Sequence, residues 1–134
     1  MIGIVNYGAG NIRAIANILE GANIDFKIIN ESTDFHAVNK LILPGVGSFD
    51  HCMNALKSSG LLDDLNKLVV HAKTPILGIC IGLHLMLEKS DEGELNGLSW
   101  IPGKVKLFNE NKIHTKPKLP HMGWNSVQLK NENE

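Results

Sequence analysis

Residues 76–82 read Ile76-Leu77-Gly78-Ile79-Cys80-Ile81-Gly82, an apolar run that passes into a Gly-x-Cys-x-Gly pentapeptide. Pro75 leads into it, and a helical stretch follows from about Ile81 to Glu88 or Lys89. A short apolar strand that turns directly into a helix is part of a βαβ unit. A nucleophile flanked by glycines at that turn has the form of a nucleophile elbow, with cysteine in place of serine. The tight turn pushes the Cys80 side chain out of the sheet. The glycines remove side chains that would collide across it. The helix N-terminus beneath the sulfur favours the thiolate. The Ile81 N–H is then free to face an oxyanion formed when sulfur attacks a carbonyl. A structural cysteine buried at a strand end satisfies the same pentapeptide, because unpaired cysteine is among the most buried residue types.

The same alternation extends toward the N-terminus. Ile2–Val5 is a short apolar strand, followed by a turn at Tyr7-Gly8-Ala9-Gly10-Asn11. Ile12, Ile15, Ala16 and Leu19 then recur at helical spacing, and Gly21 suits the stop. Phe26–Ile29 is a second strand, and residues 41–43 form a third that closes with Pro44-Gly45-Val46-Gly47. Helices are expected over residues 50–56 and 61–72, the latter with Leu62, Leu65, Val69 and Ala72 on one face. Residues 76–79 make the fourth strand.

Beyond Ser90 the character changes. Residues 91–97 form an acidic, glycine-bearing loop, with Asp91-Glu92-Gly93-Glu94 read as solvated. Residues 104–108 and 113–116 are expected to pair as a hairpin turning at Asn109-Glu110-Asn111, with a further strand over 126–129. The whole describes an α/β chain of one domain over residues 1–134. Its sheet is open and largely parallel, with helices on both faces. Sites in such sheets form where loops leave the carboxyl ends of strands. Three loops qualify, after Val5, after Leu43 and after Ile79.

Bulk properties narrow the function. The 134 residues carry a net charge of −1, and Arg13 is the sole arginine, so an arginine-rich nucleic-acid footprint is absent. No apolar run approaches the ~18 residues that a membrane span needs. The apolar N-terminus is too short for a secretory signal. Two cysteines, Cys52 and Cys80, make no disulfide framework, so a reduced, cytoplasmic setting is expected. Cys52 is read as structural. His51, Cys52 and His71 lack zinc-site spacing.

Three motifs together carry a resemblance. The Gly78-Ile79-Cys80-Ile81-Gly82 elbow after a Pro-Gly-Val-Gly loop resembles the class I glutamine amidotransferases. Asn6-Tyr7-Gly8-Ala9-Gly10-Asn11 and Pro120-His121-Met122-Gly123-Trp124-Asn125 narrow it to glutaminase subunits of imidazole glycerol phosphate synthase, in histidine biosynthesis. The resemblance implies that Cys80 attacks the side-chain amide of glutamine and forms a glutamyl thioester. Ammonia leaves and passes to a (β/α)8-barrel cyclase partner. It also implies an oxyanion and substrate surface at Val46, Gly47 and Ile81, with Asn11 and Trp124 toward the partner. No metal or organic cofactor is implied.

Two departures from the family pattern stand out. The family completes its triad with a late His-Pro-Glu segment, the histidine as base and the glutamate as orienter. None of the six histidines here (His36, His51, His71, His84, His114, His121) has an acidic residue two positions on. The family's last strands are also missing, and residues 1–134 alone are expected to be inactive. The second departure is His84, where the family usually has a substrate-holding glutamine. It lies one helical turn after Cys80, so it is expected at the wall of the same pocket, with no orienting carboxylate in the nearby spacing. Two alternatives remain open: an amidotransferase subunit for another synthase, as in surface-sugar amidation, and a non-catalytic partner-binding module.

Overall fold

A computed structural model describes residues 1–114, 120 and 122–128. Four short strands form its centre: β1 (Ile2–Val5), β2 (Phe26–Ile29), β3 (Lys40–Leu43) and β4 (Ile76–Gly78). They lie in the order β2-β1-β3-β4 and every neighbouring pair is parallel. Parallel strands need crossovers: α1 (Ile12–Gly21) links β1 to β2, a 3-10 turn at Ser32–Ala37 lies between β2 and β3, α2 (Phe49–Ser58) and α3 (Leu62–Asn66) lie between β3 and β4, and α4 (Ile81–Met86) follows β4.

The pleat decides which face each strand residue serves. Ile4 and Ile42 point to one side and pack against Ala16 and Leu19 of α1. Val5, Ile29, Leu41 and Leu43 point to the other, with Phe49, Cys52, Met53 and Leu56 of α2, Leu65 of α3 and Leu85 of α4. Helices therefore lie on both faces of the sheet, but the α1 side is covered only over β1 and β3: Leu77 of β4, beside Ile42 on that side, is 57% exposed. Among the described residues no helix is long and apolar enough to cross a membrane.

Three expectations need correction. The helix over 61–72 is not uniform: α3 gives way at Lys67–His71 to a wider π turn, in which Ala72 N–H reaches back to the Lys67 carbonyl. Next, α4 stops at Met86. Leu98, Ile101 and Ser99 N–H groups bond to the carbonyls of Leu85, Met86 and Leu87, so the packed 98–101 segment takes over the helix's last acceptors. Lastly, the 104–108/113–116 hairpin does not form among the described residues. Instead β5 (Lys89–Ser90) and β6 (Lys104–Val105) pair in parallel, flanked by Glu88 N–H to Gly103 O and Asp91 N–H to Val105 O. Residues 115 and 116 lie outside the described residues. So does Leu129 of the expected last strand, whose residues 126–128 carry no strand.

The Ser32–Ala37 3-10 turn was not legible in the sequence. Asp34 anchors it, meeting Lys27 Nζ at 2.7 Å and accepting from the N–H groups of Asn30 and Glu31 at 2.9 and 3.2 Å. The Lys27 contact first, and those N–H donors after it, lower the Asp34 carboxyl from 3.8 to about 2. A depressed carboxyl contributes stability above its unfolded pKa and loses it as pH falls through the folded value. That window runs from pH 3.8 down to about 2. Asp34→Asn should therefore lower the urea midpoint at neutral pH and flatten its decline across that window. Parallel midpoint-versus-pH curves for the two proteins would count against this account.

Candidate active site

Cys80 sits between β4 and α4 with φ 54° and ψ −122°, a left-handed conformation for a residue with a side chain. Such backbone costs on the order of 1–3 kcal/mol and persists only where its surroundings impose it. Here they do. Ile79 N–H bonds to Leu43 O, Gly82 N–H to Ile79 O, and Leu83 and His84 N–H groups both to Cys80 O. A Cβ on Gly78 would meet the backbone of Leu83, and one on Gly82 would strike the Leu43 carbonyl. The strained turn leaves Cys80 exposed while the Ile81 side chain is buried.

The Pro44–Gly47 loop lies directly against this elbow. A Cβ on Gly45 would stand 2.5 Å from the Gly82 nitrogen and 2.9 Å from the Ile81 carbonyl carbon, so only backbone fits between them. Pro44 and Gly45 are buried, whereas Val46 and Gly47 face outward, Gly47 at φ 105°. The N–H groups of Val46, Gly47 and Ile81 make no hydrogen bond among the described residues. Two expected donor segments thus meet beside the cysteine with their N–H groups uncommitted. The loop after β1 joins them: the Tyr7 hydroxyl donates to Pro44 O at 2.7 Å, and Gly10 abuts the Pro44 ring. All three loops expected at the carboxyl edge of the sheet are therefore in contact.

His84 departs from expectation. Its Nδ1 lies 3.5 Å from Glu92 Oε2, so a carboxylate does face the ring, although the spacing offered none. That nitrogen is buried and makes no hydrogen bond. The 91–97 loop, read as solvated over 91–94, is pinned: Asp50 accepts from the N–H groups of Glu94 and Leu95 at 3.0 and 3.1 Å. These donors, in that order, hold the Asp50 carboxyl below the ordinary carboxylate range. His84, Asp91 and Glu92 line a cavity of about 540 Å³ with Lys106, Leu107 and Phe108. Cys80 does not line it, but stands one helical turn from His84. No signal in the sequence pointed to Asp50, whose contacts span 44 and 45 residues, or to Glu92, which meets His84 across a loop with no regular spacing.

Asn11 is exposed, and its side chain accepts from Ala14 N–H, capping α1. Trp124 is fully exposed and does not cover the core edge. His121 lies outside the described residues. Cys52 is fully buried, as expected of a structural cysteine. Among the described residues no group of three or more histidines, cysteines or acids could hold a metal ion.

The close approach at Gly82 makes a sharp prediction. Gly82→Ala should cost at least about 3 kcal/mol, since a rigid carbonyl occupies the site of the new methyl group. Gly21→Ala, at the open end of α1, should be neutral or stabilise by up to about 1 kcal/mol. Urea unfolding of both variants tests the pair, and equal effects would contradict the packing described.

Comparison with known proteins accords with this geometry. The sequence model of the family described as glutamine amidotransferase class-I matches residues 3–134. The chain is similar to imidazole glycerol phosphate synthase subunit HisH of Leptospira borgpetersenii, 44% identical over 133 residues, which are 99% of this chain and 65% of that protein. It is similar also to subunit HisH 2 of Methanococcus maripaludis, 48% identical over 134 residues, 100% of this chain and 65% of the relative. The chain thus spans a little under two thirds of the length of these relatives. With the family matched along nearly its whole length and a cysteine elbow folded against a glycine loop, the chain belongs to the class I glutamine amidotransferases.

Proposed function

We propose that this chain belongs to the glutaminase subunit of an imidazole glycerol phosphate synthase, acting in the cytoplasm as part of one amidotransferase domain. One observation carries the reading: backbone contact between Gly45 and Gly82 sets the uncommitted N–H groups of Val46, Gly47 and Ile81 beside the exposed Cys80. Cys80 sulfur attacks the side-chain amide carbon of glutamine. The carbonyl oxygen becomes an oxyanion, and those N–H groups receive it. As the C–N bond breaks, nitrogen takes a proton and leaves as ammonia. Water then cleaves the thioester, releasing glutamate and the thiol.

The amino-acid end of glutamine suits the cavity at His84. Glu92 offers a carboxylate to its ammonium group, and Lys106, which pairs with Asp91 at 3.4 Å, offers a cation to its carboxylate. Ammonia passes to a (β/α)8-barrel cyclase. Asn11 and Trp124 face that partner, a reading supported by the exposure of Met122, Trp124 and Val127. The base and its orienting acid belong to the family's late His-Pro-Glu segment, absent from residues 1–134. These residues alone should therefore turn over little glutamine. His84, where the family usually carries glutamine, supports a second reading as the subunit of a different synthase. Selective binding to that synthase over the histidine-pathway cyclase would favour it.

The test is glutamate release from glutamine by the full-length protein, with and without the cyclase. Activity should rise with the cyclase present and fall more than about 10³-fold in Cys80→Ala, since loss of a covalent nucleophile is rarely compensated. Unchanged activity in Cys80→Ala would overturn the assignment of the nucleophile, and no glutamate release with the cyclase present would overturn the glutaminase reading.

A further inference from the structure

Tyr7 and Cys52 are buried polar side chains that take no part in the chemistry above. Tyr7 follows β1 and is 4% exposed, and Cys52 lies in α2 at 0%. Buried polar groups of this kind are paired, and the identity of their partners matters. The Tyr7 hydroxyl donates to Pro44 O at 2.7 Å, and the Cys52 thiol donates to Val46 O at 3.2 Å. Burial, and after it the neighbouring Cys52, raises the Tyr7 hydroxyl far above the ordinary phenol range, so it stays a protonated donor at all working pH values.

Both bonds land on the glycine loop, on the carbonyls that flank its Gly45–Val46 peptide. A peptide unit is planar and trans, so its C=O and N–H point in opposite directions. Drawing Val46 O inward onto the Cys52 sulfur therefore turns Gly47 N–H outward. Drawing Pro44 O inward onto Tyr7 fixes the other end of the turn. Between the two anchors, the Gly45–Val46 peptide makes no hydrogen bond among the described residues.

We infer that Tyr7 and Cys52 form a buried two-point clamp that orients the Pro44–Gly47 loop, with Cys52 a positioning residue for the Gly47 N–H. The kinetic consequence rests on the glutaminase reading; the orientation itself does not. Cys52→Ala removes one donor while leaving Gly47 and Cys80 in place. Cys52→Ser restores a donor.

The test has two arms on the same variants. The first is kinetic, on the full-length protein with the cyclase. Cys52→Ala should lower kcat roughly 10-fold, less than the ~10²–10³-fold loss of a whole oxyanion donor. KM should be unchanged, and Cys52→Ser should recover most of the loss. Tyr7→Phe should act in the same direction. The second arm reads the peptide directly. Val46-Gly47 is the one Val-Gly step in the 134 residues, so valine labelled at its carbonyl with ¹³C and glycine labelled with ¹⁵N isolate a single amide signal. That signal should move in Cys52→Ala and return in Cys52→Ser. If wild-type activity proves independent of Cys80, the glutaminase reading fails while the amide signal still decides the clamp. An unmoved signal in Cys52→Ala, or equal changes in kcat and KM, would overturn the clamp.

Discussion

Backbone meets backbone where the loop after β3 crosses the start of α4, and the rest of the site is built around that contact. Gly82 packs on the Leu43 carbonyl and Gly45 packs on Gly82, with no room for a side chain at either position. The contact ties the end of β3 to the turn that carries Cys80. It is also what keeps Cys80 in a left-handed conformation that a free chain would leave.

Around this contact the helices act as struts. The apolar face of α2 drives Phe49, Cys52, Met53 and Leu56 into the core, which fixes the exit angle of the loop before it. The first turn of α2 then reaches the other way. Asp50 takes two N–H groups from the 91–97 loop and so brings Glu92 to His84. One short helix thereby serves both the glycine loop and the cavity wall. Hydrophobic burial sets where α2 lies, and two polar residues at its start aim the surrounding loops.

His84 stands where the resemblance to the family leads one to expect glutamine. Glutamine at that position offers an amide that both donates and accepts. Histidine offers a ring whose buried Nδ1 faces a carboxylate and whose charge depends on its protonation. Either side chain would put a polar group in the wall of the cavity that His84 lines.

The sequence by itself determined the elements that depend on neighbours along the chain. The four strands, α1, and the Gly-x-Cys-x-Gly turn all declared themselves through apolar runs, helical spacing and glycine placement. From these came the parallel sheet and the three loops at its carboxyl edge. Tertiary structure decided whatever depends on how loops pack against other elements, whether the partner lies six residues away, as Val46 does from Cys52, or 37, as Pro44 does from Tyr7. The end of α4 was set by residues 98–101 claiming its carbonyls, and the expected hairpin yielded to β5–β6 because residues 88–91 captured the backbone of 103–107. The Glu92 contact to His84, and the Tyr7 and Cys52 bonds to the glycine loop, were likewise invisible. Local periodicity reports which face of an element is buried. It carries no information on which distant donor meets which acceptor, because that pairing is set only once the core has packed.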